Sequence, residues 1–100
     1  LRGHADGVIV AGPAVGLRWP ALFEHKALGQ KSWTDLVKRG LRHSKPVYFA
    51  QVQLYMAYLG LEVALLTALN RDTLALHHEA VPFDAAEAQR LADQAVDILR

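Results

Sequence analysis

Short apolar runs near the start of the chain have the length and composition of β-strands. Residues 3–11 and 21–28 predict two strands, the first of them β-branched toward its end. Gly12-Pro13, Gly16 and Pro20 lie between them and interrupt regular structure. Consecutive strands joined by a loop usually pair as an antiparallel hairpin, so we expect a hairpin whose register the spacing leaves open.

The middle of the chain carries helix signals. Ser32-Trp33-Thr34-Asp35 has the form of a capping box and predicts a short helix that ends at Gly40. Ser44 and Pro46 then predict a second helix over residues 47–59, which is apolar nearly all round and therefore typical of a buried helix.

The last part of the chain predicts a second hairpin and a final helix. Residues 61–69 and 74–81 resemble strands separated by a turn sequence, although helix remains an alternative for residues 62–69, because Ala and Leu favour it. A second capping box at residues 84–87 opens a helix with an apolar stripe. The predicted fold class is α/β, with a central mixed β-sheet of two hairpins flanked by α-helices.

Length and composition indicate one small globular domain over residues 1–100. The chain is 52% hydrophobic and 21% charged. Its longest apolar stretch, residues 54–69, contains Gly60 and Glu62 and is shorter than the roughly 20 residues of a membrane span, so we expect a cytoplasmic protein without membrane association. The absence of cysteine excludes disulfides, thiolate zinc sites and iron–sulfur clusters. Because the chain begins without Met and almost directly on a strand, we expect it to be a segment of a longer protein.

Charge is distributed unevenly along the chain. Residues 1–46 contain eight basic and three acidic side chains, a net charge of +5, whereas residues 47–100 contain three basic and seven acidic ones, a net charge of −4. A basic field beside a few acids suits a site that processes a polyanion. The alternative is a solvated surface whose charge is uneven without functional consequence.

Two charged residues on the second predicted strand form the candidate site. Residues two apart in a strand share a face, so Glu24 and Lys26 point one way while Phe23 and His25 point the other. Placing two charges on one face costs desolvation unless they pair with each other or bind something. A metal ion and an anionic substrate would meet that requirement. Glu-x-Lys alone is a weak signal.

Further polar residues accompany this pair in order along the chain. Asp6 precedes Gly7 in the first predicted strand, where Asp is disfavoured and Gly leaves room for a close approach, and the hairpin could bring it near Glu24. Gln51 and Tyr55 lie one turn apart on one face of the apolar helix, where they need hydrogen-bond partners.

These three motifs, in this order, resemble the PD-(D/E)XK nuclease superfamily, in the branch of RecB-type and phage-encoded exonucleases. The resemblance covers residues 3–83, and residues 45–56 are especially similar to phage and prophage members. It implies a restriction-endonuclease-like core. Many members also carry an acidic residue or His on a helix before the Asp strand, and this sequence begins too late to include one.

The resemblance also implies the chemistry. Asp6 and Glu24 would bind one or two Mg²⁺ or Mn²⁺ ions, with the backbone carbonyl of His25 as a further ligand, since hard cations prefer oxygen ligands. Lys26 would orient or deprotonate the attacking water and offset negative charge on the phosphate. The implied helix residues Gln51 and Tyr55 would support the site and contact DNA or metal-bound water.

The expected activity is therefore that of a metal-dependent deoxyribonuclease, an exonuclease for recombination or repair in a phage or prophage. The implied partners are DNA, a phage recombination protein and further copies of the chain. We expect phosphate contacts from the basic crossover between the predicted strands, at Lys31, Lys38, Arg39, Arg42 and Lys45.

Two other functions compete with this one. A catalytically inactive nucleic-acid-binding module on the same fold would bind DNA in a salt-sensitive way without cleaving it. A structural domain in which Glu24 and Lys26 form only an ion pair would bind neither metal nor DNA.

Overall fold

The computed structural model describes residues 7–9 and 19–99, with side chains described as far as Gln94. In this part of the chain, four strands and three helices follow one another in the order β1, β2, α1, α2, β3, β4, α3. Their bounds are Gly7–Ile9 (β1), Ala21–Leu28 (β2), Gln30–Ser44 (α1), Pro46–Leu59 (α2), Val63–Asn70 (β3), Leu76–Pro82 (β4) and Ala85–Leu99 (α3).

The four strands form one mixed sheet in the order β1-β2-β3-β4. The β1–β2 and β3–β4 pairs are antiparallel, which confirms both predicted hairpins and the strand interpretation of residues 62–69. Strands β2 and β3 pair in parallel, because α1 and α2 carry the chain back across the sheet before β3 begins. This pairing sets Glu24 opposite Leu66 and Lys26 opposite Ala68.

Helices α1 and α2 cover one face of the sheet, and α3 packs against α2. The core lies between that face and the two helices. It consists of Leu22, Leu36, Leu41, Phe49, Val52, Met56, Leu61, Ala64, Leu66, Ala68 and Val81. On the opposite face, the side chains of Phe23, His25, Leu65 and Thr67 are exposed or half-buried. In the described part of the chain the helices therefore lie on one side of the sheet.

Helix α1 begins earlier than predicted. It starts at Gln30, and the capping box at residues 32–35 lies inside it. The N–H of Gln30, which has no acceptor within the helix, donates to the carboxylate of Asp72, 2.7 Å away in the β3–β4 turn. The acceptor for the first N–H of α1 therefore comes from a part of the chain that is distant in sequence. Asp35 accepts a hydrogen bond from the hydroxyl of Ser44 at 2.6 Å instead of capping the helix. The predicted capping role of Ser32 and Asp35 was wrong.

Gly40 interrupts α1 at the position predicted for its end. Its φ of 75° lies in the left-handed region that glycine adopts easily, and helical residues resume at Leu41. The N–H of Leu41 donates to both carboxylate oxygens of Glu79 on β4, at 3.1 and 3.0 Å. The carboxylate of Glu79 thereby replaces the backbone carbonyl to which the N–H of Leu41 would bond in an uninterrupted helix.

The second and third helices begin close to their predicted positions. Pro46 occupies the first turn of α2, and Asp84 accepts a hydrogen bond from the N–H of Glu87 at 3.0 Å at the start of α3. In a capping box the side chain of Glu87 would accept a hydrogen bond from the N–H of Asp84. Here that N–H donates instead to the buried Gln53, at 2.9 Å. The carboxylate of Glu87 instead pairs with Arg90.

Three carboxylates, Asp35 inside α1 and Asp84 and Glu87 at the start of α3, have a pKa below the ordinary value. The hydroxyl of Ser44 lowers the pKa of Asp35, with a smaller contribution from Arg39. The N–H of Glu87 lowers the pKa of Asp84, and the guanidinium of Arg90 lowers the pKa of Glu87.

These lowered pKa values predict acid sensitivity. The three carboxylates contribute their stability fully above their unfolded pKa values, near pH 4, and lose it as the pH falls through the lower folded values. Thermal unfolding followed by circular dichroism between pH 6 and 3 should show a melting temperature that is constant above about pH 5 and falls below about pH 4. Asp84→Asn, which keeps a capping acceptor without the charge, should make the fall less steep; an unchanged slope would contradict this assignment.

Candidate functional site

The alternation of side chains along β2 places the two predicted site residues on the helix-facing side of the sheet. Glu24 is 4% exposed and Lys26 is half-buried. His25 points to the opposite face, where its Nδ1 lies 2.6 Å from the hydroxyl oxygen of Thr67. The predicted separation of the Glu24 and Lys26 side chains from the His25 ring is confirmed, and the role of the His25 carbonyl stays a prediction.

Tyr48, in the first turn of α2, joins the two charged groups. Its hydroxyl donates a hydrogen bond to Oε2 of Glu24 at 2.8 Å, and the ammonium of Lys26 lies 4.1 Å from the centroid of its ring. The second contact is a cation–π interaction. Glu24, Lys26 and Tyr48 therefore form one cluster, which we call the β2–α2 cluster.

Tyr48 was not among the predicted site residues, although the sequence contains a signal for it. Tyr48 lies three residues before Gln51 and seven before Tyr55, so a helical period places it on the same side of α2. Tyr48 also lies one turn nearer the start of the helix than Gln51. Only the docking of that first turn beside β2 shows that Tyr48 contacts the charged pair.

The other two predicted helix residues lie further along α2. Gln51 is half-buried. Tyr55 packs against the core, and its buried hydroxyl has no hydrogen-bond partner within the described residues. The predicted roles of Gln51 and Tyr55 toward DNA or metal-bound water stay predictions.

Replacing Tyr55 tests whether its unpartnered hydroxyl contributes to the stability of the protein. Tyr55→Phe removes a buried polar group that forms no bond among the described residues, so the free energy of unfolding should stay the same or rise by up to about 1 kcal/mol. Urea denaturation measures the change, with Tyr58→Phe on the exposed side of the same helix as the control. A clear loss of stability in Tyr55→Phe alone would show that the hydroxyl has a partner.

The described residues include one of the two predicted metal-binding carboxylates. Glu24 offers the oxygen ligands that a hard divalent cation prefers, and one of them also accepts from Tyr48. Asp6, the second predicted carboxylate, lies outside the described residues. Among the side chains described, in residues 7–9 and 19–94, no group of three or more from His, Asp and Glu is placed to hold a metal ion. The donor chemistry of Glu24 fits Mg²⁺ or Mn²⁺, and the binding of a metal ion by Glu24 and Asp6 stays a prediction.

Four of the predicted DNA-contacting residues lie on α1, and the fifth, Lys45, lies just before α2. Some of them are held by neighbours: Arg42 lies 3.3 Å from Asp84, 3.8 Å from Glu87 and over the ring of Phe49. Arg39 lies 3.5 Å from Asp35. Arg42 thus ties α1 to the start of α3, and its predicted role toward DNA stays a prediction.

Lys31 and Lys38 are the most available of these cations. Both are exposed, and neither forms an ion pair within the part of the chain described here. They line a shallow depression of about 590 Å³ together with Ser32, Thr34 and Asp35. At seven residues apart they lie two turns from each other on one side of α1.

Lys45 connects this depression to the β2–α2 cluster. Its ammonium donates to the hydroxyl of Ser32 at 2.6 Å, and Lys45 is the N-cap residue of α2. Tyr48 follows Lys45 by three residues, about one helical turn. We call the surface formed by Lys31, Lys38 and Lys45 the basic ridge.

Comparisons with protein-family models, with curated proteins and with solved structures found no match. None of the helices in the described residues has the length and apolar character that a membrane span needs. In the described range, the architecture is an α/β fold with a four-stranded mixed sheet and three helices.

Proposed function

We propose that this chain is a metal-dependent DNA nuclease with a restriction-endonuclease-like core. One observation carries the proposal: a buried carboxylate, Glu24, and an ammonium, Lys26, share one face of β2 and contact one phenol, which lies one helical turn from Lys45 of the basic ridge. Burying a carboxylate is costly, and a site that binds a cation gives a reason for keeping it. The order of the three sequence motifs adds to this argument.

In the proposed reaction, water attacks a phosphodiester of DNA. A bound Mg²⁺ or Mn²⁺ would lower the pKa of that water and polarise the phosphate. Glu24, with Asp6, would hold the metal ion. Lys26, two residues away on the same face, would orient the water or take its proton and offset charge on the phosphate oxygens. The roles of Gln51 and Tyr55 would be to support the substrate-facing side of α2.

The basic ridge suits the DNA backbone. Phosphate contacts dominate nucleic-acid affinity, and they come mainly from Lys and Arg and from hydroxyl side chains. Lys31 and Lys38 present two positive charges beside the hydroxyls of Ser32 and Thr34. A strand bound along this surface would pass close to the β2–α2 cluster, because Lys45 lies one turn from Tyr48.

Cleavage assays test the proposal directly. The 100-residue chain should degrade linear double-stranded DNA in Mg²⁺ or Mn²⁺ and should lose this activity in EDTA. Covalently closed circular DNA as a second substrate separates the exonuclease from an endonuclease, since only an endonuclease cuts it. A folded protein that leaves every DNA substrate intact in both metals would overturn the proposed activity.

A DNA-binding module without cleavage is the second candidate, and the basic ridge favours it. Lys38→Ala should weaken binding to a DNA duplex and reduce the slope of log affinity against log salt by about 1. Arg90→Ala is the control matched in charge, because Arg90 already pairs with Glu87 on α3. Fluorescence anisotropy between 50 and 200 mM NaCl measures both variants; equal slopes for Lys38→Ala and the parent would remove the ridge from the binding surface.

A further inference from the structure

Tyr48 makes two different contacts with the two charged groups of the proposed site. Its hydroxyl bonds to Glu24, and its ring lies under the ammonium of Lys26. We propose that Tyr48 is a positioning residue that sets the carboxylate of Glu24 and the ammonium of Lys26 relative to each other. The catalytic consequence of this inference rests on the proposed function, whereas the positioning itself does not.

The contact with Glu24 orients a buried acid. At 4% exposure, Glu24 has little access to water, so a hydroxyl donor 2.8 Å away has a large effect on where its oxygens point. A phenol that donates to Oε2 selects one orientation of the carboxylate.

The contact with Lys26 restricts a flexible side chain. The lysine ammonium sits on a four-carbon stem with many rotamers, and β2 determines only where that stem begins. The ring of Tyr48, 4.1 Å from the ammonium, attracts the positive charge to its face and covers one side of it. The ammonium is thereby held against the ring of the residue that bonds to Glu24 before any substrate binds, which lowers the cost of ordering it during the reaction.

Tyr48 is itself held by the fold. It lies in the first turn of α2, where Pro46 restricts the backbone and the neighbouring Phe49 is buried in the core. A single side chain on this rigid turn therefore contacts both the proposed metal-binding acid and the proposed base. Residues that orient ligands in this way commonly change metal affinity or activity by about 10- to 100-fold when replaced.

Two substitutions separate the two contacts. Tyr48→Phe removes the hydroxyl and keeps the ring, while Tyr48→Leu removes both. Tyr58→Phe is the matched control, because Tyr58 lies on the same helix and is 84% exposed. NMR chemical shifts report the positions of both groups in the absence of any reaction. The shift of the Lys26 ε-methylene protons reports whether an aromatic ring lies against them. The shift of the Glu24 carboxyl carbon reports whether its hydrogen bond is present.

The expected results differ between the two variants. The Lys26 ε-protons should resonate upfield of an ordinary lysine in the parent and in Tyr48→Phe, and should return to the ordinary position in Tyr48→Leu. The Glu24 carboxyl resonance should move in Tyr48→Phe and stay in place in Tyr58→Phe. In the cleavage assay, Tyr48→Phe should lower kcat or raise the metal concentration for half-maximal rate by about 10-fold, with the KM for DNA unchanged.

The inference is overturned if Tyr48→Phe leaves the Glu24 resonance unmoved, or if the Lys26 protons of the parent already resonate at the ordinary position. Tyr48→Phe retains the packing of the ring, so it decides the matter even where Tyr48→Leu does not fold. Failure of the parent to cleave DNA would overturn the proposed function alone, because the NMR results still decide whether Tyr48 positions the two groups. Cleavage by the parent with unchanged kinetics in Tyr48→Phe would overturn the catalytic consequence alone.

Discussion

Replacing Lys26 by methionine is expected to lower metal-dependent DNA cleavage by at least ~100-fold without unfolding the chain. Methionine keeps most of the length and apolar surface of the lysine stem, so its packing against the ring of Tyr48 is retained while the charge and the proton-accepting nitrogen are lost. Initial rates on linear DNA at saturating Mg²⁺ measure the effect. Arg71→Met in the turn between β3 and β4 is the control matched in charge, since it removes an exposed cation outside both the β2–α2 cluster and the basic ridge and should retain most of the activity.

Glu24→Gln tests the partner of Lys26 in the same assay. Glutamine is close in shape to glutamate, and its carbonyl oxygen can still accept from Tyr48. Removing the charge from a group that is 4% exposed should leave the free energy of unfolding unchanged or raise it, yet abolish cleavage by removing the metal ligand. Loss of activity without loss of stability would distinguish a functional acid from a structural one. Full activity in both Glu24→Gln and Lys26→Met would refute the proposed site.

Replacing Gln53 by leucine is expected to lower the free energy of unfolding by about 3 kcal/mol. Gln53 is fully buried, and its amide donates to the carbonyl of Pro82 at 3.0 Å while its oxygen accepts from the N–H of Asp84 at 2.9 Å. Leucine fills a similar volume but leaves both backbone groups without that partner, in the segment that joins β4 to α3. Urea denaturation measures the loss.

Gln51→Leu is the control for this prediction, because Gln51 lies two residues earlier on α2 and is only half-buried. Its replacement should change the free energy of unfolding by less than about 1 kcal/mol. Gln53→Glu adds a finer test: it keeps an acceptor for Asp84 but places a carboxylate against the carbonyl of Pro82, so it should also destabilise the protein. A Gln53→Leu protein as stable as the parent would show that the two hydrogen bonds contribute little.

The elements of the fold were largely predictable from sequence, since they depend on local patterns. Short apolar runs predicted β2, β3 and β4, and the turn at residues 70–73 predicted the antiparallel pairing of the last two strands. Pro46 marked the start of α2, and Asp84 marked the start of α3. Each of these signals acts over a few residues of backbone, so it is visible without knowledge of the fold.

The start of α1 was not predictable in the same way. Local sequence favoured Ser32 as the cap, whereas the carboxylate of Asp72, distant in sequence, receives the N–H of Gln30. The interruption at Gly40 was visible locally, but its acceptor, Glu79, comes from β4. An acceptor supplied by another element can override a local preference, because satisfying a backbone N–H matters more than which residue supplies the oxygen.

The same distinction between local sequence and tertiary packing applies to the candidate site. The sequence alone determined that Glu24 and Lys26 share one face of a strand, since side chains alternate along any strand. It also determined that α2 is apolar and that the basic residues gather before it. Only the tertiary structure decided that Tyr48 contacts the pair and that Gln53 rather than Gln51 is the fully buried glutamine of α2. Those outcomes depend on how the helix docks on the sheet, and docking is determined by side-chain packing among elements far apart in the chain.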